Sequence, residues 1–274
     1  MQKPPMPADN ALEQMPAEPP PRASTLDASR YGWRDVVDLM TRPQPVTIPM
    51  VLLFSIIPVY LYIGHVWIPG RELHIPELAL DRALPLWPAW SVVYGSLFLA
   101  ALLPVFVVHQ QELVRRTILA FLFIWLFAYA CFLLYPTVTS RPKVVTGDDF
   151  FSWVLRGIYG SDIRYNCFPS LHVAQCFLAA SICYRVHRGV GIVAVIWASF
   201  VGISTLYTKQ HYVADVIAGM FLACIAYLLF VRSYPREDVP ERERRLAPVL
   251  ALGAAGLYGL FVTGLWLVYA ISGA

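Results

Sequence analysis

Residues 189–231 read GVGIVAVIWASFVGISTLYTKQHYVADVIAGMFLACIAYLLFV. The stretch holds two apolar runs, 189–208 and 211–231, each near the 20 or so residues a helix needs to cross hydrocarbon. Almost nothing separates them, so the chain turns tightly near residues 208–210 and comes back. Backbone at membrane depth must be helical or closed into a barrel. Period-two alternation is absent here, so the runs predict helices. Lys209, His211 and Asp215 are the stretch's only charged or imidazole side chains. All three fall at one edge of the membrane.

Working outward, apolar runs at 47–67, 87–108, 117–135 and 168–184 come before this pair, and one at 248–271 follows. The whole chain of 274 residues is 58% hydrophobic and 14% charged, against about 25% charged in soluble domains. The fold class is therefore all-α, a polytopic transmembrane helical bundle. The organisation expected is an N-terminal cytoplasmic tail over 1–45, a transmembrane catalytic core over 46–235, and a basic loop with a C-terminal transmembrane helix over 236–274. The first 30 residues are rich in Pro, Ala and Glu and predict disorder. They lack the apolar stretch of a signal peptide. Trp33 to Met40 suits a short helix on the membrane surface. Four of the five cysteines, Cys131, Cys176, Cys183 and Cys224, lie inside apolar runs, while Cys167 sits at a water-accessible edge. None has disulfide-framework or metal-ligand spacing.

A net charge of +3 gives no case for nucleic acid. The cations instead set topology. With the N-terminus in the cytoplasm, fourteen Lys and Arg fall inside and seven outside. That bias predicts a multi-pass protein with the N-terminus inside and the edge carrying His211 outside. The outer loop 136–167 contains an amphipathic segment, 148–159, suited equally to lie at the headgroup level or to pack on the bundle as a loop helix, and in both cases able to form a lid.

Ionisable groups within spans are costly and mark function. Three gather at the outer edge: His172 just inside the fourth run, and His211 and Asp215 at the start of the sixth. His211 and Asp215 are four residues apart, which predicts a shared helix face and a contact. A carboxylate on one imidazole nitrogen sets the tautomer and leaves the other nitrogen free as nucleophile or base. Pro169-Ser170-Leu171-His172 opens a helix, whose first N–H groups favour an anion. Ser170 adds a hydroxyl, Arg141 a fork matched to phosphate oxygens and Lys209 a second positive charge. Together these groups suit phosphoryl transfer.

The same residues carry a resemblance. Ser204 to Asp215 is similar to the third motif of the type 2 phosphatidic acid phosphatase superfamily, S-R-x5-H-x3-D. Pro169 to His172 resembles its second motif, P-S-G-H, and Arg141-Pro142 the end of its first, K-x6-R-P. The resemblance covers roughly residues 120–230. It implies a six-helix core, supplied by the first six runs, with the seventh as an addition. It implies that His211 attacks phosphorus and forms a phosphohistidine, that Asp215 orients it, and that His172 protonates the leaving oxygen. Arg141 and Ser170 would hold the phosphate, with neither metal nor cofactor. Leu134, Thr205 and Leu171 replace the motif lysine, arginine and glycine. Thr205, at the place of the arginine, and Lys209 are the further phosphate contacts expected, with Lys209 offsetting part of the lost charge. This pattern looks more like the branch containing inositol phosphorylceramide synthase.

The leading expectation is therefore a membrane phosphoesterase acting on a lipid phosphate ester. The alternative is a phosphotransferase that moves a phosphorylated headgroup to a lipid or polyol hydroxyl. A lipid transporter would place polar or broken helices near the midplane, whereas mid-span positions here are apolar. A metal on two His and one Asp conflicts with Arg141 and Lys209 beside it. Gly191, Gly202 and Gly219 read as close helix-packing positions.

Overall fold

The computed structural model describes Val37, residues 56–68 and residues 70–272. Apart from Val37, the N-terminal tail and the expected surface helix lie outside the described residues, as does the first part of the 47–67 run. The elements are α1 (Ile57–Tyr62, running on into a π-helical turn, Ile63–Trp67), α2 (Ala79–Ala83), α3 (Trp90–Gly95), α4 (Leu97–Val107), α5 (Gln111–Leu134), α6 (Phe150–Ser161), α7 (Leu171–Val186), α8 (Arg188–Tyr207), α9 (Val213–Ala226, running on into a π-helical turn, Tyr227–Val231) and α10 (Glu241–Ser272). No strand occurs among the described residues. Two isolated bridges, His74 with Thr137 and Val138 with Tyr165, tie the loops together.

Among the described residues five stretches are long and apolar enough to cross a membrane: Trp90–Val107, Gln111–Leu134, Arg188–Tyr207, Val213–Val231 and Glu241–Ser272. The protein is an integral membrane helical bundle. Lipid is the solvent for its outer faces, where Leu252, Leu260, Phe221 and Ile271 stand exposed. The second expected run is broken at Ser96, between α3 and α4. The Ser96 hydroxyl donates to the Val93 carbonyl and accepts from the Trp197 indole.

α7 has 16 residues, about 24 Å of helix, and is the innermost element. Val173, Ala174, Leu178, Ala179, Ile182 and Cys183 on it are all buried. α4, α8 and α9 pack around it. A Cβ on Gly219 of α9 would come 2.5 Å from the Ser170 carbonyl oxygen, and one on Gly191 2.3 Å from Tyr184 Cα. A Cβ on Gly202 would meet nothing closer than Val216 Cγ1 at 3.6 Å. Bare glycine is thus what lets α9 reach the start of α7. Gly219→Ala is expected to destabilise the detergent-solubilised protein by about 1–3 kcal/mol. It should also depress activity far more than Gly202→Ala; thermal unfolding and turnover of the two variants, side by side, check this.

The 136–167 loop folds over the end of the bundle where α7 begins. Asp149 caps α6, accepting from the Phe151 and Ser152 amides, and the Ser152 hydroxyl donates to its second oxygen at 2.6 Å. These bonds, the Ser152 hydroxyl above all, hold the Asp149 carboxyl below the usual carboxylate range. Phe150 and Trp153 pack on Tyr269 of α10, with ring centroids 5.7 and 6.0 Å away. The amphipathic segment is therefore a helix docked on the bundle, and the C-terminal helix supports it.

Candidate active site

α5 and α8 end, and α7 and α9 begin, at one end of the bundle, and the loops there bring the expected residues together. Ser170 is the N-cap of α7: its Oγ accepts from the Val173 amide at 3.3 Å, and its own amide donates to the Asp215 carbonyl at 3.0 Å. His172 follows in the first turn. Its Nδ1 lies 3.0 Å from His211 Nε2. His211 Nδ1 in turn lies 3.4 Å from Asp215 Oδ2. Asp215 is wholly buried and His211 nearly so.

His211 and Asp215 touch as expected, but not as two residues on one helix face. His211 precedes α9, whose N-cap is Tyr212. Asp215 sits in the first turn and reaches back, accepting from the Tyr212 amide at 2.9 Å as well as from the imidazole. One carboxylate thus caps the helix and orients the ring. The tautomers follow from acceptor logic. Asp215 accepts a hydrogen bond from His211 Nδ1–H, leaving Nε2 a lone pair that accepts from His172 Nδ1–H.

Arg141 is held from three sides. Its guanidinium donates to the carbonyls of Asp162 (2.8 Å) and Ile163 (2.9 Å) and to the Gln210 side-chain oxygen. The Asp162 carboxylate lies 3.7 Å away and the Tyr159 ring 5.1 Å beneath. Tyr159 also ties α6 to the end of α8 by donating to the Thr208 carbonyl at 2.7 Å. Burial pushes the Tyr159 phenol up to about 12, so it remains a donor throughout the physiological range. Tyr212 links the two sides of the site, its hydroxyl meeting both the amide and the hydroxyl of Ser140. Arg141 Nε and Gln210 Nε2 are buried donors without a partner among the described residues.

Lys209 and Thr205 take positions the sequence did not anticipate. Lys209 has a left-handed backbone, φ 54°. Its ammonium donates to the carbonyls of Asp81 (3.0 Å) and Leu84 (2.6 Å) at the end of α2, two of its three donors. Asp81 completes this strut by accepting from the Val213 amide at 2.8 Å. The Thr205 hydroxyl donates back to the Gly202 carbonyl at 2.7 Å, a bond helical Thr readily makes, and the side chain is fully buried. The Thr205 carbonyl instead accepts from the Gln210 and His211 amides and so sets the turn bearing His211. Cys167, expected at a water-accessible edge, is buried with its thiol against the Arg164 carbonyl at 3.4 Å. Asp162, Gln210, Tyr159 and Asp81 had no motif to announce them. Only Gln210, adjacent to His211, offered a signal.

Two cavities flank the histidine pair. One, about 260 Å³, is apolar and reaches His172. The other, about 340 Å³, is polar and is lined by His211, Lys209, Ser140 and Tyr212 with Glu77, Asp81 and Arg82. Among the described residues no three His, Cys, Asp or Glu side chains gather as a metal-holding group.

Parts of the sequence match known proteins. A PA-phosphatase related-family protein of Dictyostelium discoideum is 25% identical over 108 residues, covering 35% of this chain. The chain spans only a fifth of that relative's length. No solved structure matches the chain. The PAP2 superfamily matches residues 77–229, more than half of the chain and every residue of the site just described, and the chain belongs to that superfamily.

Proposed function

We propose that the chain is an integral membrane phosphoesterase that cleaves a lipid phosphate ester through a phosphohistidine on His211. The observation that carries this reading is the 3.0 Å contact between two imidazoles from separate helices, with Asp215 behind one of them. His211 Nε2 attacks phosphorus, and the Asp215 carboxylate steadies the positive charge that grows on the ring. His172, entering from another helix, delivers its proton to the leaving oxygen. The phosphate enters between the rings, which touch in the resting site. Arg141 Nε and Gln210 Nε2, buried without a partner among the described residues, and the first amides of α7 are the donors offered to it. Arg141 and Ser170 hold the phosphate, and Lys209 acts from the polar cavity rather than on the phosphate directly. Thr205 serves by shaping the turn. The site faces the extracytoplasmic side, as the Lys and Arg bias supports.

Transfer to an alcohol is the second reading. The polar cavity on the His211 side favours it, because that cavity offers hydroxyl and charged partners to a polyol acceptor. Hydrolysis and transfer share the covalent intermediate. Incubation with ³²P-labelled phospholipids, quenched within a turnover, should leave acid-labile label on the protein at one equivalent or less. Label surviving in His211→Ala would overturn the assignment.

A further inference from the structure

The end of the bundle opposite the histidines carries a group of arginines without counter-charge. Three helices meet there: α7 ends, α8 begins, and α9 runs out through its π-helical turn. Arg185, in the last turn of α7, lies over the Tyr227 ring of that π-helical turn at 5.4 Å and donates to the Arg232 carbonyl just beyond it. Arg236 folds back over the Tyr184 ring at 5.3 Å. Arg188 opens α8 three residues before Gly191, whose backbone is pressed against Tyr184, so Arg188 shares the helix face turned to the end of α7. The last turn of α7 thus gathers cations from three segments.

At this end Glu112 pairs with Arg115 and Arg116, and Glu241 with Arg245. Glu237 and Asp238 follow Arg236 directly in sequence. Yet among the described residues no carboxylate comes within ion-pair reach of Arg185, Arg188, Arg232 or Arg236. Arg185 Nε is also a buried donor without a partner. A topology signal needs arginines only somewhere in the loops. It requires neither their convergence on one helix end nor a buried donor left unmet. An anion with several acceptor oxygens relieves both, and the guanidinium fork matches phosphate. The neighbouring surface says what carries that phosphate. α8 and α9 each pack on α7 but scarcely on each other. They approach near the histidines, where a Cβ on Gly202 would meet Val216. Toward the arginines the end of α7 separates them, and Tyr184 there is 37% exposed. Ile196 of α8 and Ile225 of α9 stand exposed further along. A lipid can lay its chains on this apolar surface while its phosphate meets the arginines, with Tyr184 and Tyr227 at the headgroup level.

We propose that Arg185, Arg188, Arg232 and Arg236 form a binding site for one anionic phospholipid of the leaflet away from the histidines. This lipid is not a substrate; it ties the ends of α7, α8 and α9 together. A net negative headgroup is required, because four unpaired guanidinium groups are left uncompensated by a zwitterion. The site is independent of the chemistry at His211.

The test uses the full chain in detergent, with phosphatidylglycerol and phosphatidylcholine of identical chains as probes. Thermal unfolding and native mass spectrometry read binding. Phosphatidylglycerol should raise the unfolding midpoint by about 3 °C or more, and phosphatidylcholine by no more than about 1 °C. Arg185→Gln and Arg236→Gln should each bind phosphatidylglycerol about fivefold more weakly or worse. Arg236→Gln gives up only a ring contact, so without lipid it should unfold at the wild-type midpoint and decides the matter if Arg185→Gln does not fold. Arg244→Gln, which removes the same charge from the exposed first turn of α10, should bind within about twofold of wild type. An equal loss in Arg244→Gln would mean that the diffuse field of this end holds the lipid, and would overturn the site. Binding untouched in Arg236→Gln would place the lipid elsewhere, the histidine site included, and would overturn it too. So would inorganic phosphate that stabilises the protein as much as the lipid does, since the ligand would then be a soluble phosphate.

Discussion

His211→Ala lowers turnover of the lipid substrate by on the order of 10⁴-fold or more, while the thermal unfolding midpoint stays within a few degrees. The size follows from the proposed role: losing a nucleophile would remove the covalent route altogether, leaving only binding and oriented donors. The stability expectation follows from position. The His211 ring precedes α9 and touches His172 and Asp215 without being part of the packed apolar core. The helix start survives because the amide caught by Asp215 is that of Tyr212. Single-turnover kinetics on purified protein measures the effect. A loss under tenfold would mean that phosphorus is attacked by another group, such as water activated at His172.

His172→Ala is expected to cost 10²- to 10⁴-fold on the natural ester, the usual range for a positioned general acid. The diagnostic lies in how the loss varies with the leaving group. A lipid alkoxide is a poor leaving group and needs the proton as its bond breaks. p-Nitrophenolate leaves without one. An ester with p-nitrophenol in place of the lipid alcohol should therefore lose less than about tenfold in His172→Ala, whereas His211→Ala should lose both substrates alike. If His172→Ala loses the two substrates equally, His172 acts in holding the site and not as the acid. That alternative has a physical basis, since the Tyr94 ring packs edge-on against His172 at 5.8 Å while its hydroxyl bonds Asp162 at 2.7 Å. His172 is thus built into the network that locks Arg141.

Much of the design is one-dimensional and was legible in residue order. Apolar runs of span length announced the bundle, and residues 189–231 with their missing linker forced two helices to return on each other. The second and third motifs put His172 and His211 at the same edge, and the four-residue interval placed Asp215 within reach of His211. Glycines spaced among apolar residues marked Gly219 and Gly191, where a Cβ meets backbone, but equally Gly202, where a Cβ would find only ordinary contact with Val216.

Side-chain direction in the turns was decided only by tertiary structure. Lys209 turns to the carbonyls of α2, 125 and more residues earlier in the chain, because the left-handed backbone at 209 aims it there. Thr205, fully buried, finds its acceptor in its own helix. Arg141 is oriented by Asp162, Ile163 and Gln210, which meet only once the 136–167 loop has folded back over the bundle. Cys167 is buried by the same fold-back. Hydrophobic length is a sum over neighbours in sequence, so order alone determines it. The aim of a polar group is set by whichever partner lies within about 3 Å, and at this site those partners come from distant parts of the chain.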